Sequence, residues 1–199
     1  MYGVAQYGGS CSSGGGTVFE VTPGGVESTL HSFCVGDTNG ATPNGPVALD
    51  AAGNIYGVTQ QGGDLSCPDS FGPGIGCGTV FKETAAGQFS VIHAFAGSPS
   101  DGAGDPGVGA GGGLGVISDA TGNIYGVTQF GGAGTGLGNG VIFAVANGTT
   151  YKVLHTFEGG ANDGSQPQAP LVYLSGGLYG TTIEGGPSNY GTAFRLVLK

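Results

Sequence analysis

The chain writes one pattern four times. Tyr-Gly-Val-Ala-Gln-Tyr-Gly-Gly starts at Tyr2, Tyr-Gly-Val-Thr-Gln-Gln-Gly-Gly at Tyr56, Tyr-Gly-Val-Thr-Gln-Phe-Gly-Gly at Tyr125 and Tyr-Gly-Thr-Thr-Ile-Glu-Gly-Gly at Tyr179. A second block follows each copy: Gly16-Thr-Val-Phe19, Gly78-Thr-Val-Phe81, Gly140-Val-Ile-Phe143 and Gly191-Thr-Ala-Phe194. A third appears as Leu30-His-Ser-Phe33, Ile92-His-Ala-Phe95 and Leu154-His-Thr-Phe157. Its histidines are spaced 93 − 31 = 62 and 155 − 93 = 62. A fixed period of this length marks a repeat architecture, in which one supersecondary unit stacks on the next.

Each copy holds short runs rich in Val, Ile, Phe, Tyr and Thr, bounded by Gly, Pro, Asn or Asp, and these are strand and turn signals. No stretch combines a helical apolar period with caps, so no helix is expected. In the second copy the four runs, a to d, fall at 46–50, 54–60, 78–84 and 89–95. The a–b and c–d links are short; the b–c and d–a links are long and variable. Four antiparallel strands per repeat is the arithmetic of a propeller blade. Apolar residues on both faces of run d fit a sheet buried between neighbours. The expected fold is all-β and β-propeller-like, with about four blades, and a β-solenoid is the alternative. Residues 1–199 form one domain, with repeats near 1–44, 45–106, 107–168 and 169–199. The first copy starts within run b and the last ends after run c, so both end blades present open edges, which invite pairing. The chain therefore reads as a mature chain, a cut fragment, or a unit that associates with itself.

Glycine and proline make up 57 of 199 residues, a share that would suggest low complexity if it were aperiodic. Here much of the glycine falls at matched positions of the repeat. The formal net charge is −9, with only four Lys and Arg. That balance excludes nucleic acid and disfavours anionic membrane surfaces, which both need clustered basic residues. No apolar run is long enough to span a bilayer.

The motif set Tyr-Gly-Thr-Thr-x-x-Gly-Gly, Gly-Thr-Val-Phe, Leu-His-Ser-Phe, Asp-Gly and Gly-Asn-Ile-Tyr-Gly resembles the bacterial GloVer-type tandem repeat of secreted or surface choice-of-anchor proteins. The resemblance spans nearly the whole chain. It implies an extracellular, propeller-like protein and carries no common chemistry with it. The Asp-x-x-Gly-Asn hairpins at 50–54 and 119–123 also resemble those of NHL-type propellers. By that analogy run a is innermost and run d outermost.

In such a meander the long b–c and d–a links emerge on one face, and variable loops on a rigid scaffold are where binding concentrates. Cys11 and Cys34 both fall in long links of the first copy, and Cys67 and Cys77 share the second b–c link. The expected disulfides are Cys11–Cys34 and Cys67–Cys77, which imply an oxidising compartment. A four-cysteine zinc site is the rival, but its short ligand spacings are lacking. Each histidine lies at the same place on an outer strand, so the three should be far apart, each half-buried and bonded to a neighbouring loop. The acidic turns offer Asp37, Asn39, Asp101 and Asp163 as oxygen ligands for calcium, against the plainer reading that Asp-Gly makes a turn. No other cofactor is expected. Tyr7, Gln60, Gln129, Phe130 and Tyr190, with Phe71 nearby, could hold a glycan by stacking and amide hydrogen bonds, or could be ordinary packing residues. The expected role is a non-enzymatic, extracellular binding or self-assembling protein whose partner is a glycan, a protein or another copy. The alternatives are a polysaccharide hydrolase or lyase using a pair from Asp37, Asp101, Asp163 or Glu184, and a structural filament or surface-layer component.

Overall fold

The structure, a computed structural model, describes residues 1–67, 74–104 and 115–198. Among them there are only strands and turns, in antiparallel sheets that group into four successive blades. Blade 1 pairs β1 (Tyr2–Ala5), β2 (Thr17–Val21) and β3 (Glu27–Ser32) in that order. Blade 2 comprises β4 (Ala41–Pro43), β5 (Ala48–Leu49), β6 (Ile55–Gln61), β7 (Thr79–Glu83) and β8 (Phe89–Ala94). Both β4 and β5 pair with β6, as two halves of one inner strand. Blade 3 comprises β9 (Gly102–Ala103), β10 (Val116–Ser118), β11 (Ile124–Thr128), β12 (Phe130–Gly131), β13 (Val141–Ala146) and β14 (Thr150–Thr156). Blade 4 comprises β15 (Gly164–Pro167), β16 (Val172–Leu174), β17 (Gly177–Gly185) and β18 (Ala193–Val197).

The meander a-b-c-d is the one the repeat predicts, and the fold is β-propeller-like. Inner strands of adjacent blades touch: β5 meets β10, and β10 meets β16. The Ser118 hydroxyl donates to the Leu49 carbonyl at 3.0 Å, and the Val116 N–H to the Pro46 carbonyl at 3.2 Å. The first half of the inner strand (β4, β9, β15) lies in segments that read as loop in the sequence. Pro43 and Pro167 cannot donate to a ladder. Thr42 and Gln166 have φ of 51° and 55°, so no alternation of apolar residues betrays a strand there. Burial on both faces is strongest on the middle strands rather than on d. Ile55 to Gln60 of β6 and all of β11 are buried, whereas β8 and β14 are half-buried.

Three joints fasten the blades. In the c strands of blades 2, 3 and 4 a Phe lies across the Gly of the neighbouring b strand, Phe81 over Gly57, Phe143 over Gly126 and Phe194 over Gly180. Only glycine leaves room for the ring. Each Phe then meets the Phe of the preceding blade's third block: Phe33–Phe81 at 5.4 Å, Phe95–Phe143 at 5.6 Å and Phe157–Phe194 at 5.2 Å between centroids, distances at which aromatic pairs attract. A bulge recurs just before this Phe in blades 1, 2 and 3. A second joint is backbone: Thr42, Gly104 and Gln166 donate their N–H groups to the carbonyls of Gly15, Cys77 and Asn139 in the b–c loop of the preceding blade, at 2.7, 2.8 and 2.8 Å.

The histidines form the third joint. His31 stacks on Phe89 at 3.7 Å and His93 on Tyr151 at 3.6 Å, in each case from one outer strand to the next. His93 Nε2 donates to Asp101 Oδ2 at 2.7 Å, and His155 Nε2 to Asp163 Oδ2 at 3.2 Å. The reading of each histidine as half-buried and bonded to a neighbouring loop thus holds for two of the three. Asp37 closes its own turn instead, and His31 Nε2 is left without a hydrogen bond. Burial pushes the His31 imidazole down, against the opposing pull of Asp37.

On the opposite face the short hairpins are built around Asp50 and Asp119. Asp119 Oδ1 accepts from the Thr121 and Asn123 N–H groups, and Oδ2 from Asn123 Nδ2 and the Tyr125 hydroxyl. Burial pulls this carboxyl up, but the hydrogen bonds outweigh it and hold the group down at about 2, against 3.8 for an unperturbed one. Asp50 repeats the arrangement with Ala52, Asn54 and Tyr56, and it is also lowered. In the window between the two values the unfolded chain takes up the proton and the folded one does not. The hairpin's contribution is therefore full above the unfolded value and is lost as pH falls through the folded one. Thermal unfolding followed by circular dichroism from about pH 5 to about pH 2 should show the melting temperature dropping. The double variant Asp50→Asn, Asp119→Asn should flatten that acid slope; an unchanged slope would assign it to other groups.

Candidate functional site

The long b–c and d–a links share one face, as the backbone joints between them require. Two disulfides pin that face. Cys11 is joined to Cys34 and Cys67 to Cys77, with Cα–Cα distances of 5.6 and 5.8 Å, and there is no free cysteine among the described residues. The first ties a b–c loop to the following d–a loop, and the Ser13 hydroxyl adds a bond from the Val35 N–H at 3.1 Å. The pairing is the one the topology predicts.

Strand b ends on this face with an amide in three of the four copies, Gln6, Gln60 and Gln129. Gln6 Nε2 donates to Gln60 Oε1 at 3.0 Å. On the other side of the face Gln129 Nε2 donates to Gln166 Oε1 at 3.5 Å, and Gln166 Nε2 to Glu184 Oε2 at 3.3 Å. Gln60 and Gln129 are 2% and 5% exposed, and Gln60 Nε2 and Gln129 Oε1 have no hydrogen-bond partner. A pocket of about 210 Å³ opens above Gln60, lined by Gln6, Tyr7, Ser13, Thr42 and Gln61 among others. Tyr7 stands 63% exposed at its rim.

The structure therefore brings Tyr7 and Gln60 to one pocket and gives Gln129 a separate amide pair. Phe130 packs against the core, which makes it a blade-packing ring. Tyr190 is 91% exposed in the b–c loop of blade 4. Phe71 lies outside the described residues. Gln166 and Thr42 enter the site without having stood out in the sequence. Their signal is the repeated Gly-Ala-Thr-Pro at 40–43 and Gly-Ser-Gln-Pro at 164–167, which sets a polar residue with positive φ on this face.

The acidic turns have another use. Asp101 Oδ2 accepts from His93 and the Ala96 N–H, and its Oδ1 from the Gly102 N–H and the Tyr151 hydroxyl at 2.7 Å. Burial pulls this carboxyl up, yet these donors hold it below the usual carboxylate value. Burial and Asp101 together push the Tyr151 hydroxyl far up, so it remains a donor. Asp163 accepts from His155 and from the Glu158 and Gly164 N–H groups. Asp37 accepts from the Asn39 N–H and Nδ2. No cluster of three or more His, Cys, Asp or Glu able to hold a metal occurs among the described residues. Glu83, 1% exposed with both oxygens unpartnered and its carboxyl pushed up by burial, sits on β7 where other blades have Val21, Val145 and Leu196.

Four stacked sheets, matched joints and one loop-bearing polar face define a β-propeller repeat protein. The chain belongs to the Gloeobacter/Verrucomicrobia repeat family, whose model matches residues 1–199. No curated protein matches it. Among solved structures it is similar to a luciferin-regenerating enzyme, a propeller, with 14% identity and a TM-score of 0.52, over 92% of this chain and 51% of that one. It is also similar to a protein assigned as a gluconolactonase, with 14% identity and a TM-score of 0.47, over 92% of this chain and 57% of that one. At these identities the likeness concerns the fold alone. The chain spans about half the length of the solved structures it matches.

Proposed function

We propose that the protein is a non-enzymatic binding module of the cell exterior that takes a neutral glycan at the Gln6–Gln60–Tyr7 pocket. The observation that carries this reading is Gln60, which lines an open pocket and whose buried Nε2 has no hydrogen-bond partner. Leaving such a donor unmet costs about 1–3 kcal/mol, which a small rotation of the side chain toward a ligand hydroxyl would recover. Tyr7 at the rim offers a ring face for stacking on a sugar. The acidic chain disfavours anionic ligands. The two disulfides support an oxidising, extracellular setting. Calcium has no place in this reading, because the carboxylates of the loop turns are taken up by N–H, hydroxyl and imidazole donors. A hydrolase or lyase would need two carboxylates facing one bond. Asp37, Asp101 and Asp163 are each spent within a turn or joint of their own, and Glu184 meets Gln166.

An array of neutral oligosaccharides, followed by calorimetric titration of any hit, tests the proposal. Gln60→Ala should weaken binding about tenfold or more, and Tyr7→Ala, a change at an exposed rim residue that keeps the parent's melting curve, should weaken it as well. A blank array, or a Gln60→Ala protein that binds like the parent, would remove the reading.

A further inference from the structure

Two blade boundaries on the loop face follow one plan and differ in one side chain. Thr42 on β4 and Gln166 on β15 hold equivalent places. Each precedes a Pro, has positive φ (51° and 55°) and donates its N–H to the b–c loop of the preceding blade. Pro43 pairs with Thr59 and Pro167 with Thr182, which are matching positions of the Tyr-Gly repeat. The same backbone in the same register sends the two side chains off in the same direction. In blade 3 the place belongs to Gly104, where an added Cβ would strike the Gln60 main chain.

The surroundings match as well. Gln6 and Gln129 share one repeat position in the preceding blade, and Gln61 and Glu184 share the next repeat position in the blade itself. Between blades 3 and 4 the Gln166 carboxamide bridges the two. Its Oε1 accepts from Gln129 Nε2 at 3.5 Å, and its Nε2 donates to Glu184 Oε2 at 3.3 Å. Between blades 1 and 2 Thr42 is too short to do this, and its hydroxyl turns back to the Ala41 carbonyl at 2.7 Å. What stands there instead is the pocket of about 210 Å³ lined by Gln6, Thr42, Gln60 and Gln61 among others. Gln6 Nε2 spends one N–H on Gln60 Oε1, and an amide nitrogen has two to give.

We propose that this pocket selects a carboxamide and, resting on the glycan reading above, that its ligand is an acetamido sugar. Gln166 shows, within the molecule, the group that belongs in the space above Thr42. An acetamido group carries the same planar amide. With its methyl in the place of Gln166 Cγ, its carbonyl accepts from Gln6 Nε2 and its N–H donates to the Gln61 side-chain oxygen. The sugar ring then leaves through the open mouth, where Tyr7 stands exposed. A hydroxyl at the same carbon of the sugar is too short to meet both amides. A site built to bond a polar group discriminates strongly against an analogue that leaves it unpaired. An unacetylated amine offers no oxygen to accept from Gln6.

An oligosaccharide array that carries each backbone in acetamido, hydroxyl and free-amine forms, followed by calorimetric titration, tests this on the parent protein. The acetamido members should bind about tenfold or more tighter than their hydroxyl and amine counterparts. Thr42→Gln gives blade 2 the side chain that blade 4 carries at the same φ. It should close the pocket and abolish binding with the melting curve preserved. Gln61→Glu keeps an acceptor for the N–H and should bind nearly as the parent does, whereas Gln61→Leu should bind about tenfold more weakly. Hydroxyl or amine members bound as tightly as acetamido ones would overturn the inference and leave the glycan reading standing. Undiminished binding by the Thr42→Gln protein would place the ligand elsewhere and overturn both, as would a blank array.

Discussion

Replacing Gly78 with alanine is expected to destroy the cooperative folded state. Gly78 immediately precedes β7 with φ +91°, is buried, and its added Cβ would be driven into the Thr59 carbonyl oxygen of β6. That oxygen is main chain and cannot swing aside. The Gly78 N–H donates to Gly62 and its carbonyl accepts from Phe95, both at 3.0 Å, so the residue cannot rotate to a normal φ without breaking two turns. Positive φ alone costs an L-residue about 1–2 kcal/mol, and the clash adds to it. The sum should exceed about 4 kcal/mol, the range reached by few point mutations. Gly16, Gly140 and Gly191 hold the same place, with φ of 102°, 92° and 89°, and each added Cβ would strike a strand b carbonyl. Chemical unfolding of Gly78→Ala should show no native baseline; a midpoint near that of the parent would refute the steric argument.

Phe143→Ala should be the costliest change to a side chain in the core. The ring is fully buried, lies across Gly126 and meets Phe95 and Tyr151 at 5.6 and 5.5 Å. Truncating such a ring costs about 3–5 kcal/mol, and the glycine beneath it cannot fill the space. Phe19 is the equivalent residue in blade 1. It is half-buried, and no aromatic ring of a preceding blade stands against it among the described residues. Phe19→Ala should therefore cost about half as much or less by urea unfolding. Equal losses at both sites would mean that burial within the blade, rather than the joint between blades, holds the ring.

These two positions also show why the scaffold was legible. Gly-Thr-Val-Phe and Tyr-Gly recur because a ring in one strand needs a missing Cβ in the next, and that requirement leaves a mark in each copy. The cysteine pairs were legible for a similar reason, since topology alone puts their loops together. What escaped were features assembled across blades. Gln6 and Gln60 are 54 residues apart and meet only because two blades stack. His93 and Asp101 are eight residues apart, as are His155 and Asp163, and that constant offset was the available sign that these carboxylates join blades. The inner half-strands were hidden because Pro43, Pro167 and the left-handed Thr42 and Gln166 look like loop.

The backbone joint from Thr42, Gly104 and Gln166 to the loop behind each has a consequence for how such proteins change over time. Every joint uses residues of two successive repeats and nothing farther away, so stability is close to a sum of nearest-neighbour terms. A duplicated or deleted repeat would therefore bring or remove a complete interface with it, and the remaining joints would not need to be remade. The architecture therefore accommodates a change in blade number by whole units, while the loops on one face can differ from copy to copy.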